Sequence, residues 1–198
     1  MPYPDIRVVR TRSLLKQALL SLMLETCFDR ITIKDLAGRA GINRVTFYTH
    51  YNDKEALLLE LVEEKLKEYE AFFQLEPAAS ETPQAVQIRQ IAMTVRHVRE
   101  NALFYQVVLL TDDAADLAAR MQERLSGALH RALLDSSLEP SELDLRLYSH
   151  WTMGGILSVF RDWLRNGLQE DDPAIVRQIA LLTWPGSPSG ILRAVNQA

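Results

Sequence analysis

Apolar side chains return every three or four residues along almost the whole chain, and β-branched residues nowhere gather into the alternating runs that a sheet requires. A chain with that one period buries its apolar stripes by packing helix on helix. The expected fold is all-α, with about nine helices. Leu14, Leu15, Ala18, Leu19, Leu22 and Met23 mark a first helix from about Val9 to Cys27. Thr32 and Asp35 have capping-box spacing for a short second helix, which Gly41 would end in a left-handed turn. Asn43 is the expected cap of a brief third helix from Arg44 to Thr49, and Asn52 with Glu55 the expected capping box of a long fourth helix to about Gln74. After a polar break from Glu76 to Pro83, Thr82 and Pro83 open a fifth helix to about Glu100. An apolar run from Leu103 to Leu110 and a periodic stretch from Asp113 to Leu134 follow. Ser141 and Asp144 begin a long helix to about Asn166, and Asp172 with Pro173 begins a last one that ends before Pro185.

The segment ITIKDLAGRAGINRVTFYTHYNDKEALL carries the most information. Two short helices meeting at a glycine-containing turn of three or four residues have the layout of a helix-turn-helix. Ile33, Leu36, Ala37, Ile42, Val45 and Phe47 are placed to close a small core, so that the second of these helices presents its polar face outward. An α-helix fits the roughly 12 Å major groove, where its first turn meets phosphates and base edges. From spacing alone, a helical hairpin with no DNA role fits the same residues.

The charge is unevenly placed. The chain has 22 basic and 26 acidic side chains in 198 residues, a net charge of −4, which by itself counts against a phosphate partner. Residues 1 to 54 hold nine basic and five acidic groups, a balance of +4, and residues 55 to 198 hold −8. A basic head on an acidic body permits local attraction to phosphate, although a modest charge run is also ordinary solvated surface.

The ordered pieces T-I-K-D-L-A at Thr32 to Ala37, A-G-I at Ala40 to Ile42, V-T-F-Y at Val45 to Tyr48 and Y-N-D-K-E-A-L-L at Tyr51 to Leu58, behind an apolar first helix, resemble the TetR family of one-component bacterial transcriptional regulators. The resemblance covers about Leu14 to Leu59. It implies a three-helix helix-turn-helix DNA-binding domain over residues 1–54 and a helical effector-binding and dimerisation bundle over 55–198. It further implies that Thr32 and its helix N-terminus touch phosphate, a position that simple N-capping also explains. Asn43, Arg44 and Thr46 would sit at the start of the reading helix, with Arg44 directed at guanine or at phosphate. Tyr48, His50 and Lys54 match positions that meet the DNA backbone in relatives, with packing and solvent as the bland alternatives, whereas Phe47 and Tyr51 should pack inward. Two departures stand out. Gly38 lies inside the second helix at a cost of about 1 kcal/mol relative to alanine, and Asn43 replaces a frequent serine.

In the body, Trp151, Met153, Gly154, Gly155, Ile156, Val159, Phe160, Trp163 and Leu164 give one helix more apolar surface than a single bundle face uses. The resemblance assigns Gly154, Gly155, Val159, Phe160 and Trp163 to a homodimer interface, with internal core as the alternative. Two-fold symmetry would match a pseudo-palindromic double-stranded operator. Met93, His97, Phe104, Tyr105, Met121 and Trp151 are candidates for a pocket holding a small apolar or amphipathic effector, though residues of these types are also ordinary core. The implied function is a dimeric repressor released from DNA by that effector. An activator of the same fold, or a helical adaptor without DNA binding, are the alternatives.

An enzyme, a metal site and a cofactor are not expected. The four histidines and one cysteine lack metal-ligand spacing, and there is neither a glycine-rich phosphate loop nor a G-x-S-x-G elbow. The single cysteine, Cys27, forms no intrachain disulfide and is expected on the apolar face of the first helix. No signal-peptide order at the start and no apolar run of about 18 residues point to a cytoplasmic protein without a membrane span.

Overall fold

A computed structural model describes residues 6–75, 78, 81–135 and 144–183. Among them are nine α-helices and no strand: α1 (Ile6–Glu25), α2 (Ile33–Ala40), α3 (Arg44–Tyr48), α4 (Lys54–Glu70), α5 (Pro83–Glu100), α6 (Ala102–Leu110), α7 (Ala115–Asp135), α8 (Leu145–Arg165) and α9 (Asp172–Thr183). The expected helix starts at Ser141 and stop before Pro185, and part of the polar break from Glu76 to Pro83, fall outside the described residues. The chain divides into two compact units, Met1–Lys67 with Leu103–Leu117, and Glu68–Ala102 with Ala118–Ala198.

The first unit closes around Leu15, Leu19, Leu36, Phe47 and Leu57, all inaccessible to solvent, with Phe104, Tyr105, Val107 and Val108 of α6 buried as well. Each such side chain contributes about 1.5–3 kcal/mol by leaving water. Caps fix where the short helices begin and end. Gly41, at φ +68°, closes α2 in the left-handed region that an L side chain avoids.

Three expectations fail in this unit. α1 ends at Glu25, and the chain then turns through a 3-10 segment, Phe28–Arg30, leaving Cys27 exposed rather than in the core. Its thiol hydrogen-bonds to the Asp113 carboxylate, and that bond together with the neighbouring negative charge raises the thiol pKa. Val45 is 74 % exposed, because a helix of five residues turns only one of its apolar side chains, Phe47, fully inward. α4 is capped by Asp53, whose Oδ1 accepts from the Ala56 amide at 2.7 Å, not by Asn52, and its α-helical turns give way to a 3-10 turn at Ala71–Gln74.

The second unit buries Val95, Val98, Leu125, Met153, Leu157, Phe160 and Ile179. Thr82 and Asp144 cap α5 and α8 as expected, and Asp171 caps α9 through the Ala174 amide at 2.9 Å. Asp172 instead pairs with Arg99. The Arg99 guanidinium also donates to the Glu170 carbonyl at 2.8 Å and lies 4.8 Å from the Trp163 ring centre, pinning α5 to the loop between α8 and α9. Arg124 joins α7 to Glu70 at 2.7 Å.

Candidate nucleic-acid interface

Four side chains set the geometry of α2 and α3, and the same four include three expected DNA contacts. Thr32 and Asp35 form a complete capping box: the Thr32 oxygen accepts from the Asp35 amide at 3.2 Å, while the Thr32 amide and hydroxyl donate to Asp35 Oδ2 at 3.0 and 2.6 Å. Both Thr32 donors are thereby spent inside the protein. Phosphate accepts hydrogen bonds and offers none, so a Thr32 contact requires its hydroxyl to leave Asp35. Asn43 Oδ1 accepts from the Thr46 amide at 2.7 Å and from the Thr46 hydroxyl at 3.0 Å. That cap, worth about 1 kcal/mol, leaves the Asn43 amide nitrogen as the donor facing outward chemistry.

The hydrogen bonds from the Thr32 hydroxyl and amide hold the Asp35 carboxyl below its ordinary value of 3.8. For Glu60, burial pushes upward, but hydrogen bonds from Lys16 and Tyr51 outweigh it and lower the pKa. Both groups therefore stabilise the folded state above their unfolded values, and that contribution is lost as pH falls through the folded ones. The thermal midpoint is expected to drop between about pH 5 and pH 3, less steeply in Asp35→Asn. A midpoint independent of pH over that range, followed by circular dichroism, would contradict this.

Arg44 is exposed on the first turn of α3 and makes no hydrogen bond or ion pair with the described residues, so all its donors are available. Tyr48 is exposed beside it, its ring standing edge-on to Phe47 with centres 5.6 Å apart, and His50 is half-buried after the helix. Phe47 and Tyr51 point inward as expected. Lys34, exposed in the first turn of α2, adds a cation that the sequence reading passed over. Its signal was its place two residues after the capping threonine.

Lys54 serves the fold as well as the surface. Its ammonium donates to the Phe28 carbonyl at 2.8 Å and the Asp29 carbonyl at 3.0 Å, and lies 4.5 Å from the Phe28 ring centre. One of its three protons is left for phosphate. Lys54→Ala is expected to weaken binding to all duplexes alike, to reduce the slope of log affinity against log salt by about 1 per protomer, and to lower the thermal midpoint. An altered sequence preference with an unchanged slope would contradict a phosphate role.

Three other basic groups of the head are occupied. Arg12 pairs with Glu60 at 3.2 Å, Lys16 with both Glu60 and Glu64, and Arg39 forks onto Glu25 at 2.8 and 2.7 Å. Arg10, Arg30, Lys34 and Arg44 are exposed, and of these Lys34 and Arg44 lie on the helix-turn-helix itself.

The expected effector residues are divided between the two units. Phe104 and Tyr105 are buried in the first unit. In the second, Met121 is buried, Met93 is half-buried, and His97 is buried with its ring edge-on to Tyr69 and Phe72 and its Nδ1 3.5 Å from Glu68. Trp151 is 63 % exposed. Of the expected dimer residues, Phe160 and Trp163 are core of the chain itself. A methyl group added at Gly154 would come within 3.2 Å of Gln122 on α7, whereas one at Gly155 would meet nothing. Val159 is half-buried and, with exposed Gly155, borders a depression of about 380 Å³ that Ser158, Asp162 and Glu170 also line.

Among the described residues no group of three or more His, Cys, Asp or Glu side chains is arranged to hold a metal ion, and no helix is long and apolar enough to cross a membrane. Residues 16–61 match the family model for bacterial regulatory proteins of the tetR family, and residues 89–183 match the transcriptional regulator C-terminal region. The uncharacterized HTH-type transcriptional regulator YxbF of Bacillus subtilis is 42 % identical over 65 residues, which are 32 % of this chain and 17 % of that protein. The fatty acid degradation regulator FadR from Bacillus halodurans superposes with a TM-score of 0.71 at 20 % identity, covering 88 % of this chain and 98 % of that one. FadR from Bacillus subtilis, solved in complex with stearoyl-CoA, gives 0.64 at 17 % identity, covering 88 % and 98 %. At such identities the superpositions establish the fold, and the matched head and body models establish the lineage. The chain belongs to the TetR family of helix-turn-helix transcriptional regulators, a family of DNA-binding proteins and not of enzymes.

Proposed function

We propose that this protein is a cytoplasmic homodimeric repressor that binds a pseudo-palindromic operator through residues 1–54 and is released by a small apolar or amphipathic effector bound within residues 55–198. The observation that carries the reading is the capped α2–turn–α3 unit, in which structural hydrogen bonds occupy Thr32 and Thr46 while Arg44, the Asn43 amide and Tyr48 are exposed together. Arg44 reads a base by donating two bonds to guanine, and Lys34, His50 and the third proton of Lys54 meet phosphates. Dimerisation uses the exposed stripe of α8 and α9, where Leu147, Trp151, Leu181 and Leu182 are open to solvent around Gly155 and Val159. An apolar or amphipathic effector suits the buried aromatic surroundings of His97, and stearoyl-CoA in the Bacillus subtilis FadR structure is a ligand of that chemistry.

Selection of duplexes from a random pool by the full-length protein tests this. The expected product is an enriched motif with two inverted half-sites about one helical turn apart, bound by a dimer. Enrichment of no motif would contradict the proposal.

A further inference from the structure

We propose that Glu60 is a positioning residue for sequence-specific DNA binding, acting through the Tyr51 hydroxyl to hold the orientation of α3. The proposal rests on the DNA-binding reading above. One carboxylate on α4 takes three donors from two other parts of the head. Glu60 Oε1 accepts from the Tyr51 hydroxyl at 2.9 Å and from Lys16 Nζ at 3.0 Å, and Oε2 accepts from Arg12 Nη1 at 3.2 Å. The Arg12 guanidinium in turn lies 5.4 Å from the Tyr51 ring centre. Lys16 also pairs with Glu64, one turn further along α4.

Tyr51 is the link to the reading helix, because its amide donates to the Phe47 carbonyl at 3.0 Å and so belongs to the turn that ends α3. Its side chain is 5 % exposed, and a phenol hydroxyl buried to that degree needs a partner. Glu60 supplies it. A helix of five residues does not hold itself in place, so the direction in which Arg44 projects is set by buried Phe47 together with what anchors the two ends of α3. Asn43 anchors the first end with a cap, and the hydroxyl of Tyr51 anchors the last through Glu60. Arg12 and Lys16 complete the arrangement from α1, spending their charge on α4 carboxylates.

The test compares binding of the full-length protein to the duplex it selects from a random pool with binding to a scrambled duplex of equal length. Tyr51→Phe keeps the ring and removes only the donor; it is expected to lower the ratio of the two affinities about tenfold while scrambled binding is unchanged. Glu60→Leu should lower the ratio likewise, with scrambled binding unchanged or stronger because Arg12 loses its carboxylate partner. Glu60→Gln, whose amide oxygen still accepts from Tyr51, should keep the ratio within about threefold of wild type, and Tyr51→Phe with Glu60→Leu should lose no more than either alone. Amide hydrogen exchange at residues 44–51 without DNA should be faster in Tyr51→Phe. A wild-type ratio in Tyr51→Phe, equal losses on both duplexes, a Gln variant as poor as the Leu variant, or unchanged exchange would overturn the proposal. If the wild-type protein selects no duplex, the regulator reading fails, while the exchange measurement still decides whether Glu60 anchors α3.

Discussion

Replacing Phe47 with alanine is expected to lower the thermal midpoint by about 10 °C and to abolish operator binding. Phe47 is the single fully buried side chain of α3, with the Tyr48 ring at 5.6 Å and the Tyr51 ring at 6.0 Å. Truncating a buried phenylalanine costs about 3–5 kcal/mol, a large part of the roughly 5–15 kcal/mol that holds a domain folded. Because no other residue of α3 is buried, the loss falls on the element that carries Arg44. Phe47→Leu should retain binding. A Phe47→Ala protein with wild-type melting and wild-type operator affinity would show that α3 is held by something other than this side chain.

The second large effect is expected at Arg44, where the change is in binding alone. Arg44→Ala removes an exposed guanidinium whose attraction to the Asp35 carboxylate acts through space, so the fold should be little affected. A bidentate contact to guanine contributes about 1–3 kcal/mol of discrimination in each half-site, so the dimer's affinity for the selected duplex should fall by roughly 30-fold or more. Tolerance of base changes at one position in each half-site should rise with it. Binding titrations against single-substitution duplexes separate the two roles available to this residue: a base contact relaxes one position, and a phosphate contact weakens all duplexes equally.

How far the sequence foretold the site depends on what each residue does. Caps are written in local spacing, so the Thr32–Asp35 box, the Asn43 cap and the left-handed Gly41 were legible in advance. The use of each donor was not, because a capping hydroxyl and a phosphate-binding hydroxyl are the same residue type. Only the folded structure shows that Thr32, Thr46 and two protons of Lys54 are committed within the protein. The tie between Tyr51 and Glu60 crosses the non-helical Asn52–Asp53 step, where helical periodicity carries no information.

In α8 the apolar residues fall on two faces. Trp151 and Phe160 are nine residues apart, and at about 100° per residue they point to opposite sides of the helix. Trp151 is exposed, and Phe160 is fully buried. A surplus of apolar residues on one helix therefore marked both a core face and an outer face.

The central claim is that an acidic protein binds DNA through a small basic surface on which Lys34 and Arg44 stand exposed. The most direct measurement is the affinity of the wild-type dimer for its selected duplex and for a scrambled one, across rising salt. Both affinities should fall linearly in log–log form, with the selected duplex bound about a thousandfold or more tighter throughout. A ratio near one, or affinities indifferent to salt, would contradict the account.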